Sequence, residues 1–358
     1  MSKLTVVVFG VVGLVGVVGA CSSSSVSQSV GSSSAALKLD TSGWTYVFGL
    51  HALVHPSCVH QIPDGTMGMP DGTVRRRDGT VIASYEGCAY PPEVVESMGW
   101  VMDSIQIVPG ITGGNFYSSM INQWTVPLAP PPDLTQSPNG QLIGVFSAWE
   151  TWDAVYGPPT DGGQYSWHDV AIVQPVLQWG INAGEEGTHQ VWQILDESVV
   201  GTGPCPGVSC NVYETYPQNV GVGDTIVGIL QEADNVIEGP PEQCNPSNTL
   251  IQIEDTTLHI SSTMFAPWGQ WVTANSGVLE GHNIGGCGDF SPGGSISFSA
   301  PNPLLVNNQN VNNGCGANSM PGTWTAENRS VLNGYPNCSW APTLGVDGLG
   351  DVTLRWTP

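Results

Sequence analysis

The chain has 358 residues, of which 10% are charged, and 30 acidic residues stand against seven basic ones for a formal net charge of −23. So acidic a chain repels nucleic acid and anionic surfaces, which excludes both as electrostatic partners. With 46 glycines and 28 prolines, its solubility rests on neutral polar groups, a profile of extracellular β proteins.

Residues 1–20 carry one positive charge, Lys3, ahead of an uncharged apolar run at 4–18. At about 15 residues the run is short for a bilayer span but suits a secretory leader. It ends in Val18-Gly19-Ala20-Cys21, small residues leading directly into a cysteine. This resembles a bacterial lipobox, with valine in place of the usual leucine three positions before the cysteine. The resemblance implies cleavage before Cys21 and a lipid on its sulfur, which anchors the chain to a membrane. Residues 21–43 are Ser-rich and read as a flexible tether. The implied location is the cell envelope, at the outer membrane or cell surface. The alternative is an ordinary leader with Cys21 in a disulfide.

Eight further cysteines, Cys58, Cys88, Cys205, Cys210, Cys244, Cys287, Cys315 and Cys338, imply disulfides in an exported chain. Near neighbours pair as Cys58–Cys88, Cys205–Cys210, Cys244–Cys287 and Cys315–Cys338, one choice among many. No C-x-x-C is present and no zinc-like spacing of histidines accompanies the cysteines. His51, His55 and His60 crowd Cys58, as a metal cluster or, preferably, a turn-rich disulfide knot.

Residues 44–116 read as an N-terminal hairpin-rich segment: a separate domain, a pro-segment or padding on the main body. Asp-Gly-Thr recurs at 64–66, 71–73 and 78–80, which reads as successive hairpin turns in preference to calcium loops. At 91–106, Val94, Val95, Met98 and Val101 have helical spacing and predict one helix. From 117 to 358 alternation prevails. Strands are predicted at 118–126, 142–152, 169–180, 189–195, 211–216, 225–231, 249–261, 269–274, 295–300 and 351–356, with a polyproline stretch at 127–132. The fold class is all-β, a two-sheet antiparallel sandwich carrying an N-terminal disulfide-bearing elaboration.

Four short motifs carry a family resemblance: Gln123-Trp124-Thr125-Val126-Pro127, Ala171-Ile172-Val173-Gln174, Val222-Gly223-Asp224-Thr225-Ile226, and the strand from Asn248 to Asp255. In their order they resemble the glutamic peptidases (eqolisins), concanavalin-like sandwiches, over roughly 117–260. The resemblance implies an acid peptidase without cofactor, in which a carboxylate activates water and a glutamine amide steadies the oxyanion. Gln174 takes the glutamine's place. Leu250 falls where the glutamate should stand, which leaves Glu254, about 13 Å farther along the strand, as a displaced base. Pro175 implies an edge position or a bulge for the Gln174 strand.

A second reading is a carbohydrate or cell-surface binding module on the same concave face, with Gln178, Gln252, Trp192 and Trp271 as ligand contacts. Thirteen tryptophans favour it, although a large core also consumes aromatics. A glycan hydrolase needs two carboxyls about 5 Å apart, and Glu150, Asp153, Asp196, Glu197 and Glu254 are the candidates. No H-E-x-x-H, G-x-S-x-G or phosphate loop occurs. The expected partner is an extracellular polypeptide or polysaccharide.

Overall fold

The computed structural model describes residues 44–48, 52–86, 88, 93–94, 99–108, 117–131, 141–151, 172–180, 190–201, 210–233, 248–267, 271–302, 304–306, 323–331, 333–347 and 349–358. The leader, Cys21 with its tether, Cys205, Cys244, Cys315 and the side chain of Cys210 lie outside the described residues.

The described chain opens with β1 (Thr45–Val47), β2 (Ala52–Val54) and, after a turn of 3-10 helix at Pro56–Cys58, β3 (Val59–Ile62). β4 (Thr66–Gly68), β5 (Thr73–Arg76), β6 (Val81–Ser84), β7 (Glu93–Val94) and β8 (Gly99–Ile107) follow. The middle supplies β9 (Tyr117–Thr125), β10 (Leu142–Thr151), β11 (Ile172–Trp179), β12 (Trp192–Gly201), β13 (Cys210–Thr215) and β14 (Gln218–Val220). Next come β15 (Thr225–Ala233), β16 (Asn248–Asp255), β17 (Ile260–Pro267) and β18 (Trp271–His282). β19 (Ser295–Phe298), β20 (Leu304–Val306), β21 (Thr325–Asn328), β22 (Ala341–Leu344) and β23 (Val352–Arg355) complete the set.

Two large sheets hold most of these strands. The front sheet runs β21-β8-β18-β10-β11-β12-β13-β3, with β14 beside β12; the back sheet runs β22-β23-β19-β9-β15-β16-β17-β4-β5-β6, with β20 beside β9. They pack as a sandwich, and the alternation of each strand sends one set of side chains inward. Leu177, Trp179, Trp192 and Ile194 from the front meet Trp124, Ile226, Ile253 and Phe298 from the back. Nearer the other end, Val173, Trp149 and Trp271 meet Leu230, Ile251 and Met264. The fit is close: a Cβ on Gly277 of β18 would lie 2.4 Å from the Phe298 ring, so glycine there lets the sheets approach.

A third layer distinguishes the molecule. β1, β2 and β7 form a small sheet whose Tyr46, Val47, Phe48, Ala52 and Val54 cluster with Phe146, Ile172, Val176, Leu195, Val199 and Val278 on the outer side of the front sheet. These residues have their backs to the sandwich interior, so residues 44–48 and 52–54 cover the front sheet from outside. A disulfide from Cys58 to Cys88 follows directly behind it.

Several expectations change. The helix expected at 91–106 is replaced by β7 and β8: its valines are β-branched, and β8 is buried on both sides between the sandwich interior and the chain near Arg329. The strand expected at 249–261 is two strands, β16 and β17, turning where Asp255 accepts hydrogen bonds from the Thr257 and Leu258 amides. Two of the Asp-Gly-Thr triplets do turn hairpins, β4–β5 and β5–β6, with Gly72 and Gly79 at positive φ; the first instead carries the chain from β3 in the front sheet to β4 in the back sheet. Because β3, β4 and β8 are woven into the main sheets, the boundary at 116/117 is not a division in space. Cys58–Cys88 forms as read, but Cys287 pairs with Cys338, replacing both Cys244–Cys287 and Cys315–Cys338. Pro175 is central, not at an edge: β11 lies between β10 and β12, and the ladder to β10 lapses at Ser147 and Ala148, opposite the proline and Gln174.

Two buried charges make the fold testable. Asp103 on β8 is fully buried and held by Arg329 in a two-pronged ion pair at 3.0 and 3.1 Å, with the guanidinium over the Trp100 ring. Arg329→Ala is expected to cost about 3 kcal/mol, because it strands a buried carboxylate, measured as a shift of the urea midpoint. Asp196 of β12 points between the sheets toward Ser262, and burial pushes its carboxyl well above the usual range. A raised folded pKa contributes stability that is complete below the unfolded value and is lost as pH rises through the folded one. Wild type should therefore lose stability relative to Asp196→Asn as pH rises above about 4, with a limiting slope of about 1.4 kcal/mol per pH unit. A constant difference across that range would contradict the assignment.

Candidate functional site

The site lies on the outer side of the front sheet, beneath the cover. On β11, Ile172, Gln174, Val176 and Gln178 point outward while Val173, Leu177 and Trp179 point into the sandwich. The antiparallel register sets Gln174 opposite Glu197 of β12, and Glu197 in turn opposite Glu214 of β13. All three are buried. The Gln174 amide nitrogen donates to Glu197 Oε1 at 2.6 Å and to the main-chain carbonyl of Phe48 at 2.8 Å. Its own Oε1 has no hydrogen-bond partner. One amide thus holds a carboxylate and a peptide carbonyl side by side.

Two strands away, Glu280 of β18 shares this face through Gly144 of β10, which is opposite both Glu280 and Gln178. Tyr46 of the cover donates its hydroxyl to Glu280 Oε1 at 2.5 Å and stacks on His282, with ring centroids 4.4 Å apart. Burial, followed by the Glu280 carboxylate, pushes the Tyr46 phenol well above its ordinary value. Burial lowers His282 to about 4, so its imidazole is neutral at neutral pH. Phe48 lies against Gly144, where a Cβ would come within 2.5 Å of its ring, with Phe146 alongside at 6.2 Å between centroids.

The structure separates the residues grouped from sequence. Gln174 and Gln178 do share the outer face of the front sheet. Glu254 and Gln252 stand with Leu250 on the outer face of the back sheet, half-exposed. Both sheets therefore lie between Gln174 and Glu254, and the pairing of the two as glutamine and displaced base is corrected. The leucine at 250 has no bearing on the carboxylate beside Gln174. Trp192 and Trp271 are core residues: Trp192 packs on Trp179, and Trp271 donates its indole N–H to Thr249 at 2.8 Å inside the sandwich. Their assignment as ligand contacts is corrected too, because a two-sheet core needs large aromatics to fill it. Cys58 is in a disulfide, His55 packs on Trp44 and His60 on Tyr85, while His51 lies outside the described residues.

Glu214, Glu280 and the cover residues Tyr46 and Phe48 were missed, and Glu197 was weighed only as a glycosidase acid. The signal for Glu197 is its phase: it shares a face with Leu195 and Val199, opposite to that of Ile194 and Asp196. Linking that face to Gln174 requires the register across the β11–β12 connection, which the residues between 180 and 190 do not reveal.

No family model matches the chain, and no curated protein matches it. Among solved structures it is similar to Scytalido-glutamic peptidase bound to a peptide-based transition state analog, with a TM-score of 0.37 and 12% identity over 73% of this chain and 100% of that one. A structure of the same peptidase with a transition state analog inhibitor matches equally. SCP-B, a member of the Eqolisin family of peptidases in complex with the tripeptide Ala-Ile-His, matches with a TM-score of 0.36 and 9% identity, at the same coverage.

Proposed function

We propose that this protein is an acid peptidase whose dyad is Gln174 and Glu197, with Glu197 in the role first sought at Glu254. One observation carries the reading: the Gln174 amide donates at once to a carboxylate and to a peptide carbonyl, that of Phe48. Glutamic-peptidase chemistry requires that convergence. The ionised Glu197 would take a proton from a water whose oxygen attacks the carbonyl carbon. The Gln174 N–H would stabilise the oxyanion, and Glu197 would return the proton to the leaving nitrogen as the C–N bond breaks. All of the groups are side chains of this chain.

The burial of Trp192 and Trp271 speaks against the glycan-binding alternative, since neither presents a ring face to a sugar. We place the substrate among extracellular polypeptides and the protein at the cell envelope, held through Cys21. The disulfides Cys58–Cys88 and Cys287–Cys338 support an oxidising compartment.

Casein digestion at pH 3–5 in the presence of pepstatin tests the chemistry. Gln174→Ala is expected to lower kcat about 100- to 1,000-fold through loss of an oxyanion donor. Glu197→Gln, lacking the base, should fall by about 100- to 10,000-fold, while Glu254→Gln retains wild-type rates. No cleavage by wild type after displacement of the cover, or full activity in Glu197→Gln, sinks the reading. For the anchor, palmitate labelling of the expressed full chain should be lost in Cys21→Ala; an unlabelled wild type refutes it.

A further inference from the structure

The cover meets the front sheet in a manner that apolar packing does not require. A layer serving only to shield a sheet is best met by an apolar floor, because burying carboxylates without compensation costs several kcal/mol each. Here the floor offers an amide donor at Gln174, buried carboxylates at Glu197 and Glu280, and an absent side chain at Gly144. Glu197 is held by Gln174, and the other three are matched by one short stretch of the cover. Gln174 takes the Phe48 carbonyl, Gly144 leaves room for the Phe48 ring, and Glu280 takes the Tyr46 hydroxyl. Tyr46 and Phe48 are two residues apart, as an extended strand requires for side chains that reach one surface.

We propose that Tyr46-Val47-Phe48 is a built-in ligand of the Gln174–Glu197 site, and that the external ligand it stands in for is an extended polypeptide with aromatic side chains two residues apart, the second laying its carbonyl on Gln174. The inference rests on the reading of this face as a peptide site and adds its regulation and its side-chain preference. The room above Gly144 selects the second aromatic residue, and Glu280 with His282 selects a phenol at the first. While the cover is seated, the site is closed to other peptides. Displacement of residues 44–48 opens it, and the Cys58–Cys88 disulfide keeps the chain behind them attached.

The test uses the full chain and a fluorescein-labelled peptide with the sequence of residues 44–50, at pH 4. Phe48→Ala vacates the seat over Gly144, and Tyr46→Phe is the milder route, removing only the hydroxyl that Glu280 accepts. Near-UV circular dichroism establishes that each variant is folded. By fluorescence anisotropy, a folded variant should bind the peptide at least tenfold more tightly than wild type does. It should also prefer that peptide at least tenfold over one with both aromatic residues replaced by alanine. Equal binding of the two peptides, or binding of neither, by a folded variant overturns the proposal. Mass spectrometry of the same mixture separates the two readings. Cleavage after the phenylalanine supports both; selective binding of an intact peptide upholds the built-in ligand and removes the peptidase.

Discussion

The hydrogen bonds of a single amide, that of Gln174, tie two strands of the front sheet to the cover. The amide stands on β11, donates along the sheet to Glu197 and donates outward to the cover at Phe48. Everything around it serves to keep that arrangement dry. In a site that excludes water, hydrogen bonds to charged groups are stronger and an unmet one is more costly, so the position of each partner is tightly held. The sandwich behind supplies rigidity: Val173 and Leu177, on either side of Gln174, are anchored in the core against Ile251 and Ile253 of the back sheet.

The two faces of the front sheet do different work. Its inner face sets apolar side chains beside buried polar ones, among them Asp196, Ser198 and Thr215, the last bonded to Ser262 of the back sheet. Its outer face mixes apolar residues with Gln174, Gln178, Glu197, Glu214 and Glu280, all buried. A chain with a net charge of −23 places carboxylates on its surface as a matter of course. Gathering several under a cover, with few basic residues available to neutralise them, is a different matter. Asp103, fully buried, receives the Arg329 guanidinium. Glu197 accepts a hydrogen bond from the Gln174 amide, which orients it.

The opposite shifts of Asp196 and His282 also bear on the conditions in which the protein works. Asp196 favours the folded state at acid pH. His282, lowered to about 4, favours it above its ordinary pKa and withdraws that contribution as pH falls toward the folded value. His282 lies under Tyr46, so acidification weakens the cover's seat while Asp196 strengthens the sandwich.

The amino-acid sequence determined the fold class, most of the strands from 117 onward, the Cys58–Cys88 bridge and the strand face that Gln174 shares with Ile172, Val176 and Gln178. Period-two alternation is a local property, and so are the turn triplets and the short spacing of the first two cysteines. Glu197 escaped because its partnership with Gln174 depends on strand register, which is set by cross-strand packing over many residues and not by any local pattern. Glu254 misled for the complementary reason: alternation places a residue on a face of its strand but does not say to which sheet that strand belongs. The cover is the extreme case. Tyr46 and Phe48 read as ordinary apolar residues in a turn-rich segment, and only the tertiary structure sets them on Glu280, His282, Gly144 and Gln174, more than 90 residues away in the chain. Contacts at that separation are decided by which surfaces remain to be buried once the sheets have formed, and no window of sequence contains that information.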